Sequence, residues 1–336
     1  MPAYPASLTL TPRSVYIREN LRWHIIWKLG WKSVAVFTVY SALICLVYGP
    51  LNFHSVAIPW QPVATLGTAV AFYIGFKNNG SYDRFWEGRK LWGGIVNSSR
   101  MVAVQVLEFI TSVVDAPGVE AAAASAEELS VRHRRMVYRQ IAWCNALRIH
   151  LRRQPEQWDA AVAPFLDEEE SEKLRVLANP PAQLIRQQAA ALRVLREERG
   201  LLNDFQHVTM MNTLETLYDL QGGCERIKNT PFPRQYAFFS MLFVYLFTAI
   251  MPLGLVTEFA KMGPDHIWLT VPFSVLVSWV FATIEKVGHS SENPFENNMN
   301  DVSMTAICRS IEIDLRQMLG ETDVPPKLDP VEDILY

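Results

Sequence analysis

The chain has 336 residues, of which 50% are hydrophobic, 11% aromatic and only 19% charged, with a formal net charge of −3. So apolar a composition is unusual for a water-soluble protein, and disorder, collagen and coiled coil are excluded because no matching repeat or sustained heptad is present. The slightly acidic balance argues against a nucleic-acid partner, which calls for a basic surplus.

The N-terminal segment lacks a short apolar run followed by a small-residue cleavage site, so no secretory signal is expected. Residues 33–76 then contain no Asp, Glu, Lys or Arg, a stretch of 44 residues broken near its middle by Gly49-Pro50 and the polar residues around His54. That is enough for two membrane passes of about 20 residues each. Two further uncharged runs, 235–257 and 266–284, are separated by a short polar link. Buried core helices of a soluble protein are the alternative, but runs this long and closely paired favour four transmembrane helices.

With four spans the outer loops are 50–58 and 258–265, which hold none and one of the 31 Lys and Arg residues. The rest lie on the other side, so both termini are expected in the cytoplasm. Residues 77–233 read as a cytoplasmic helical body: 140–151 and 184–198 carry apolar residues at helical spacing, and strand alternation bounded by Asn-Gly or Asp-Gly turns is absent. The expected division is therefore an N-terminal segment 1–32, spans within 33–76, the body 77–233, spans within 234–286, and a C-terminal segment and acidic, Pro-rich tail 287–336. The small-residue stretch 114–128 is expected to be a loop.

Four cysteines, Cys45, Cys144, Cys224 and Cys308, stand far apart without metal spacing and are expected to be reduced packing residues. Histidines such as His133, His150 and His207 are scattered. Metal-protease, nucleophile-elbow and phosphate-loop motifs are absent, so no cofactor and no enzyme activity are expected; the alternative is a membrane-anchored enzyme or binding module in the body.

Three segments carry more information. Residues 76–96, FKNNGSYDRFWEGRKLWGGIV, leave the second span with charge and aromatics, and Arg84 and Glu87 stand three apart on one helix face. Residues 224–233, CERIKNTPFP, break a helix with proline before the third span. Residues 292–301, ENPFENNMND, follow the fourth span and offer the oxygen ligands that Ca²⁺ takes, without the regular ligand spacing of an EF-hand.

In this order, NNGSYDRFWEGRKLWGG, RIKNTPFP and ENPF resemble the bestrophin family, in particular its bacterial branch, and the resemblance covers roughly residues 21–320. It implies a homopentameric all-α membrane channel in the cell membrane, with four transmembrane helices per subunit, a large cytoplasmic helical body and one central pore for small monovalent ions. It also implies a hydrophobic neck on the second span at Thr68, Phe72 and Phe76, a first position that departs from the family's larger apolar residue. Steps of four put these three on one helix face, a pattern that lipid or interhelical packing would also produce. The string GLLND at 200–204 is similar to the one preceding the family's second constriction and implies Phe205 as a cytoplasmic aperture; core packing of this Phe is the alternative. Arg84, Trp86, Asn293, Pro294 and Phe295 would be structural motif residues. Glu296, Asn298 and Asp301 are the remaining cation-ligand candidates, but the acidic run of the animal members is replaced here by amides and Met, so no tight Ca²⁺ site is expected.

Overall fold

A computed structural model describes residues 23–111 and 125–330. Its elements are α1 (Trp23–Tyr48), α2 (Trp60–Phe109), α3 (Ala126–Arg152), α4 (Trp158–Ala161), α5 (Glu168–Arg175), α6 (Pro180–Glu197), α7 (Asp204–Asn229), α8 (Arg234–Ala260), α9 (Thr270–Ser290) and α10 (Met304–Met318). The all-helical expectation holds among the described residues. The stretch expected to be a loop falls mostly outside them, and its end is ordered: Ser125 caps α3, accepting from the Glu128 backbone N–H while the Glu128 carboxylate accepts from the Ser125 N–H.

Among the described residues, three segments are long and apolar enough to cross a membrane, Gly30–Tyr48, Arg234–Ala260 and Pro264–Ser290. The second expected pass is embedded in α2, whose 50 residues make a rod about 75 Å long at 1.5 Å per residue. Its uncharged part ends at Lys77 and is diluted by Gln61, Thr65 and Thr68, which is why it falls short of the apolarity of the other three. The surfaces of α1, α8 and α9 turn large apolar residues outward, among them Val39, Leu43, Leu246, Phe273, Leu276 and Val280. A water-soluble surface would not carry such a continuous apolar coat. The helices pack closely at glycines: a Cβ on Gly30 of α1 would meet the Trp279 indole of α9 at 2.6 Å, and one on Gly67 of α2 would meet the Phe247 ring of α8 at 2.7 Å.

Besides a small cluster of Cys45, Val256 and Ile267, the described residues form two separate cores. One is small and lies between α2 and α8, formed by Val63, Val70, Ile74, Val244, Phe247 and Met251. The other fills the helical body, where α3 from Met136 onward is nearly all buried and meets the lower half of α2, α6, α7 and α10 around Trp92, Trp143, Leu147, Leu184 and Leu217. Since α2 contributes to both, it is the mechanical link between the apolar helices and the body. All four cysteines are buried and free, and burial pushes the Cys224 and Cys308 thiols up to about 12. They pack as small apolar groups, with the Cys308 thiol donating to the Cys144 carbonyl at 3.4 Å.

Candidate functional site: an unpartnered face of the long helix and the hub behind it

Along α2 the buried positions Val63, Gly67, Val70, Ile74, Lys77 and Ser81 recur every three or four residues, one face pressed on α8 and α9. Thr68, Phe72 and Phe76 lie on the opposite face and have no cover from the protomer. Phe72 is 66% exposed and Phe76 75% exposed. Between them Gly75 has open space where a Cβ would stand. The Thr68 hydroxyl donates to the Ala64 carbonyl at 3.0 Å, which satisfies its donor. Among the described residues, the other helices of the chain therefore leave these two phenylalanines largely uncovered.

Phe205 is in the second position of α7, after an N-terminal capping box in which Asn203 and Gln206 exchange side-chain and backbone bonds. It is 86% exposed, so core packing is excluded for it within the protomer as well. Below it Thr209, Thr213 and Thr216 return their hydroxyls to carbonyls one turn back, which satisfies their donors.

The three sequence motifs, far apart in the chain, converge on one hub. Arg84 Nε donates to the Glu292 carbonyl and its terminal nitrogen to the Ile227 carbonyl, both at 2.9 Å. The sequence spacing pairs Arg84 with Glu87, but in the folded chain Glu87 binds Arg226 of α7, and Lys228 reaches Glu296 at 2.7 Å. Phe295 is 1% exposed and wedges onto Gly88, where a Cβ would come within 3.0 Å of its ring, with Pro294 at 3.4 Å. Trp86, by contrast, is half exposed beside this hub. Arg84→Lys should cost about 1–3 kcal/mol in denaturant melts, because an ammonium lacks the planar fork that serves two divergent carbonyls. Unchanged stability would show that water replaces the lost bond.

In the loop after Phe295 the candidate cation ligands make bonds within the protein. One oxygen of Asp301 accepts from the backbone N–H groups of Glu296 at 2.6 Å and Asn298 at 3.0 Å, and Asn297 adopts a left-handed φ of 69° to make this turn. Burial raises the Asp301 carboxyl above its ordinary pKa, and the backbone bonds from Asn298 and Glu296 act against that shift. Ca²⁺ binding is favoured by several free carboxylates, whereas Glu296 is already held by Lys228 and one Asp301 oxygen by two backbone N–H groups. Titration with millimolar Ca²⁺ should leave the melting temperature unchanged. Micromolar binding by calorimetry, lost in Asp301→Ala, would overturn this reading.

Sequence reasoning missed one group, because its partners are distant in the chain. The Lys77 ammonium lies 2.6 Å from Glu285 Oε1 and 3.0 Å from Glu292 Oε1, and its side chain is completely buried. The signal was present: Lys77 and Glu285 each close an uncharged run, placing opposite charges at the same depth.

Helices with lipid-type outer surfaces, joined to a helical body by one continuous rod, define a multi-pass α-helical membrane protein. Residues 12–317 match the family described as bacterial and fungal bestrophin protein, and the chain belongs to that family. It is 32% identical over 327 residues to the voltage-dependent anion channel-forming protein YneE of Salmonella typhi, covering 96% of this chain and 98% of that one. The protein of the same name in Escherichia coli K12 is 31% identical over the same length. Among solved structures, a bacterial bestrophin homologue from Klebsiella pneumoniae superposes with a TM-score of 0.74 at 27% identity, covering 86% of this chain and 98% of that chain.

Proposed function

We propose that five copies of the chain surround one pore in the cell membrane, with both termini in the cytoplasm, and pass small monovalent ions through a neck formed by Thr68, Phe72 and Phe76. The observation that carries this reading is the uncovered aromatic face of α2, opposite a face fully packed on α8 and α9. Lipid alone could cover two phenylalanines, but the stripe does not end at Phe76. It continues through Asn79, Tyr82, Asp83, Trp86 and Arg89, polar enough to need water or a neighbouring subunit. Four passes follow, α2 being the one that lines water and therefore the least apolar. Phe205, exposed at the head of α7, is the candidate second constriction.

A ring of phenyl groups carries no charge of its own, so the permeant sign is set by the vestibules around it. The names of the relatives support anions. The competing reading, an enzyme in the body, gains nothing from the histidines: His133 is bonded to the Ile110 carbonyl at 2.8 Å, and His150 sits 3.9 Å from Glu225. Reversal potentials of the purified protein in planar bilayers, under a NaCl gradient and then with an organic anion, test activity and sign together. A potential at the chloride equilibrium value is expected, and one at the sodium value would reverse the selectivity. Native mass spectrometry should show a pentamer; a monomer as the largest intact species would end the pore model.

A further inference from the structure

Lys77 follows Phe76 directly and its buried ammonium joins three parts of the fold. Besides its bonds to Glu285 of α9 and Glu292 of the following turn, Glu285 Oε2 accepts from the Ser240 hydroxyl of α8 at 2.5 Å. One residue on, Asn78 Nδ2 donates to the Ile284 carbonyl at 3.2 Å, and a Cβ on Gly288 would overlap the Asn78 side chain. Above this level the contacts of α2 with α8 are apolar, made by Val63, Val70 and Ile74 and by Phe247 against Gly67, and they restrain direction less than ionic bonds do. At Lys77 the contacts become directional, because a buried ammonium released from its carboxylates costs several kcal/mol. A turn of α2 that carried Phe72 and Phe76 sideways would have to break these bonds.

We propose that Lys77 is the positioning residue of the neck: its ionic bonds to Glu285 and Glu292 set the rotation of α2 and so the direction of Phe72 and Phe76. This rests on the channel reading above. The charged and titratable groups around the ammonium are Tyr73 from α2, with Tyr236 of α8 stacked on that tyrosine, Glu285 from α9, and Glu292, which lies beside Arg84 and whose Oε1 is also 3.4 Å from His289 Nδ1. Without the ammonium, two neighbouring buried carboxylates are left to repel each other with no compensating charge, and α2 loses the bonds that hold its rotation.

The test is bilayer recording of the full-length Lys77→Met protein between pH 5 and 9, beside the wild type. Open probability or unit conductance is expected to change at least about threefold and to acquire a pH dependence absent from the wild type. Lys77→Met combined with Glu285→Gln should lose that pH dependence, and Lys77→Arg should restore wild-type behaviour. A mutant with lowered thermal stability but wild-type conductance and pH profile overturns the proposal, since that is what a purely structural lysine gives. Should Lys77→Met fail to fold, Glu285→Gln, which keeps the shape and one ionic partner, is read by the change in open probability or conductance alone, and wild-type values overturn the proposal. A silent wild type removes the channel reading and this inference with it, whereas a conducting wild type with an indifferent mutant removes the inference alone.

Discussion

Replacing Phe72 and Phe76 together by alanine should raise the current at least about tenfold while leaving the assembly and its melting temperature nearly unchanged. An ion entering a ring of phenyl groups loses hydration that the ring cannot replace, and each 1.4 kcal/mol removed from that barrier raises the rate about tenfold. Phenylalanine to alanine in a packed core costs about 3–5 kcal/mol. Here the two rings are 66% and 75% exposed on the protomer, so little packing is lost. Planar-bilayer currents no larger than wild type, or a collapse in thermal stability, would show that these rings pack against a neighbouring subunit instead of lining water. Thr68→Phe is the opposite perturbation: it enlarges the neck's first ring and should reduce the current.

The helical class and the apolar helices were legible because uncharged runs of 23 and 19 residues are longer than the core helix of a soluble protein usually carries. That a helix runs on through residues 76–96 was legible as well, but not that α2 continues unbroken to Phe109 as part of the body, since a lysine after a long apolar run reads as the end of a membrane segment. What makes Lys77 compatible with the middle of a rod is a pair of carboxylates from the far end of the chain, 208 residues away in the case of Glu285. The same limit applied to Arg84, whose i, i+3 neighbour Glu87 was the visible partner while the actual acceptors are two carbonyls, 143 and 208 residues distant. Local spacing sees only pairs on one helix, and this hub is assembled between helices. The neck triad was readable as a face from its period of four. Which way the face points depended on what α8 and α9 cover, and that is a property of the packed protomer.

Phe295→Ala should destabilise the folded chain by about 3–5 kcal/mol, the range for emptying a full aromatic site. The ring is 1% exposed, belongs to the body's core, and fills the space that Gly88 leaves on α2. Its loop is held on both sides: the Val302 N–H donates to the Pro294 carbonyl at 3.0 Å, and the Glu292 carbonyl accepts from Arg84. The backbone is thus too tethered to collapse into the cavity, which puts the cost toward the upper end. The matched control is Phe205→Ala, the same truncation at a side chain 86% exposed, expected within about 0.5 kcal/mol. Denaturant melts of the detergent-solubilised variants measure both. Because Phe295 contacts the rod that joins the body to the membrane helices, its loss should also lower the yield of intact oligomer, whereas Phe205→Ala should leave the oligomer whole and alter only conduction. Equal stabilities for the two variants would mean that the ENPF turn is not a wedge between α2 and the body, and that the Gly88 contact is incidental to the fold.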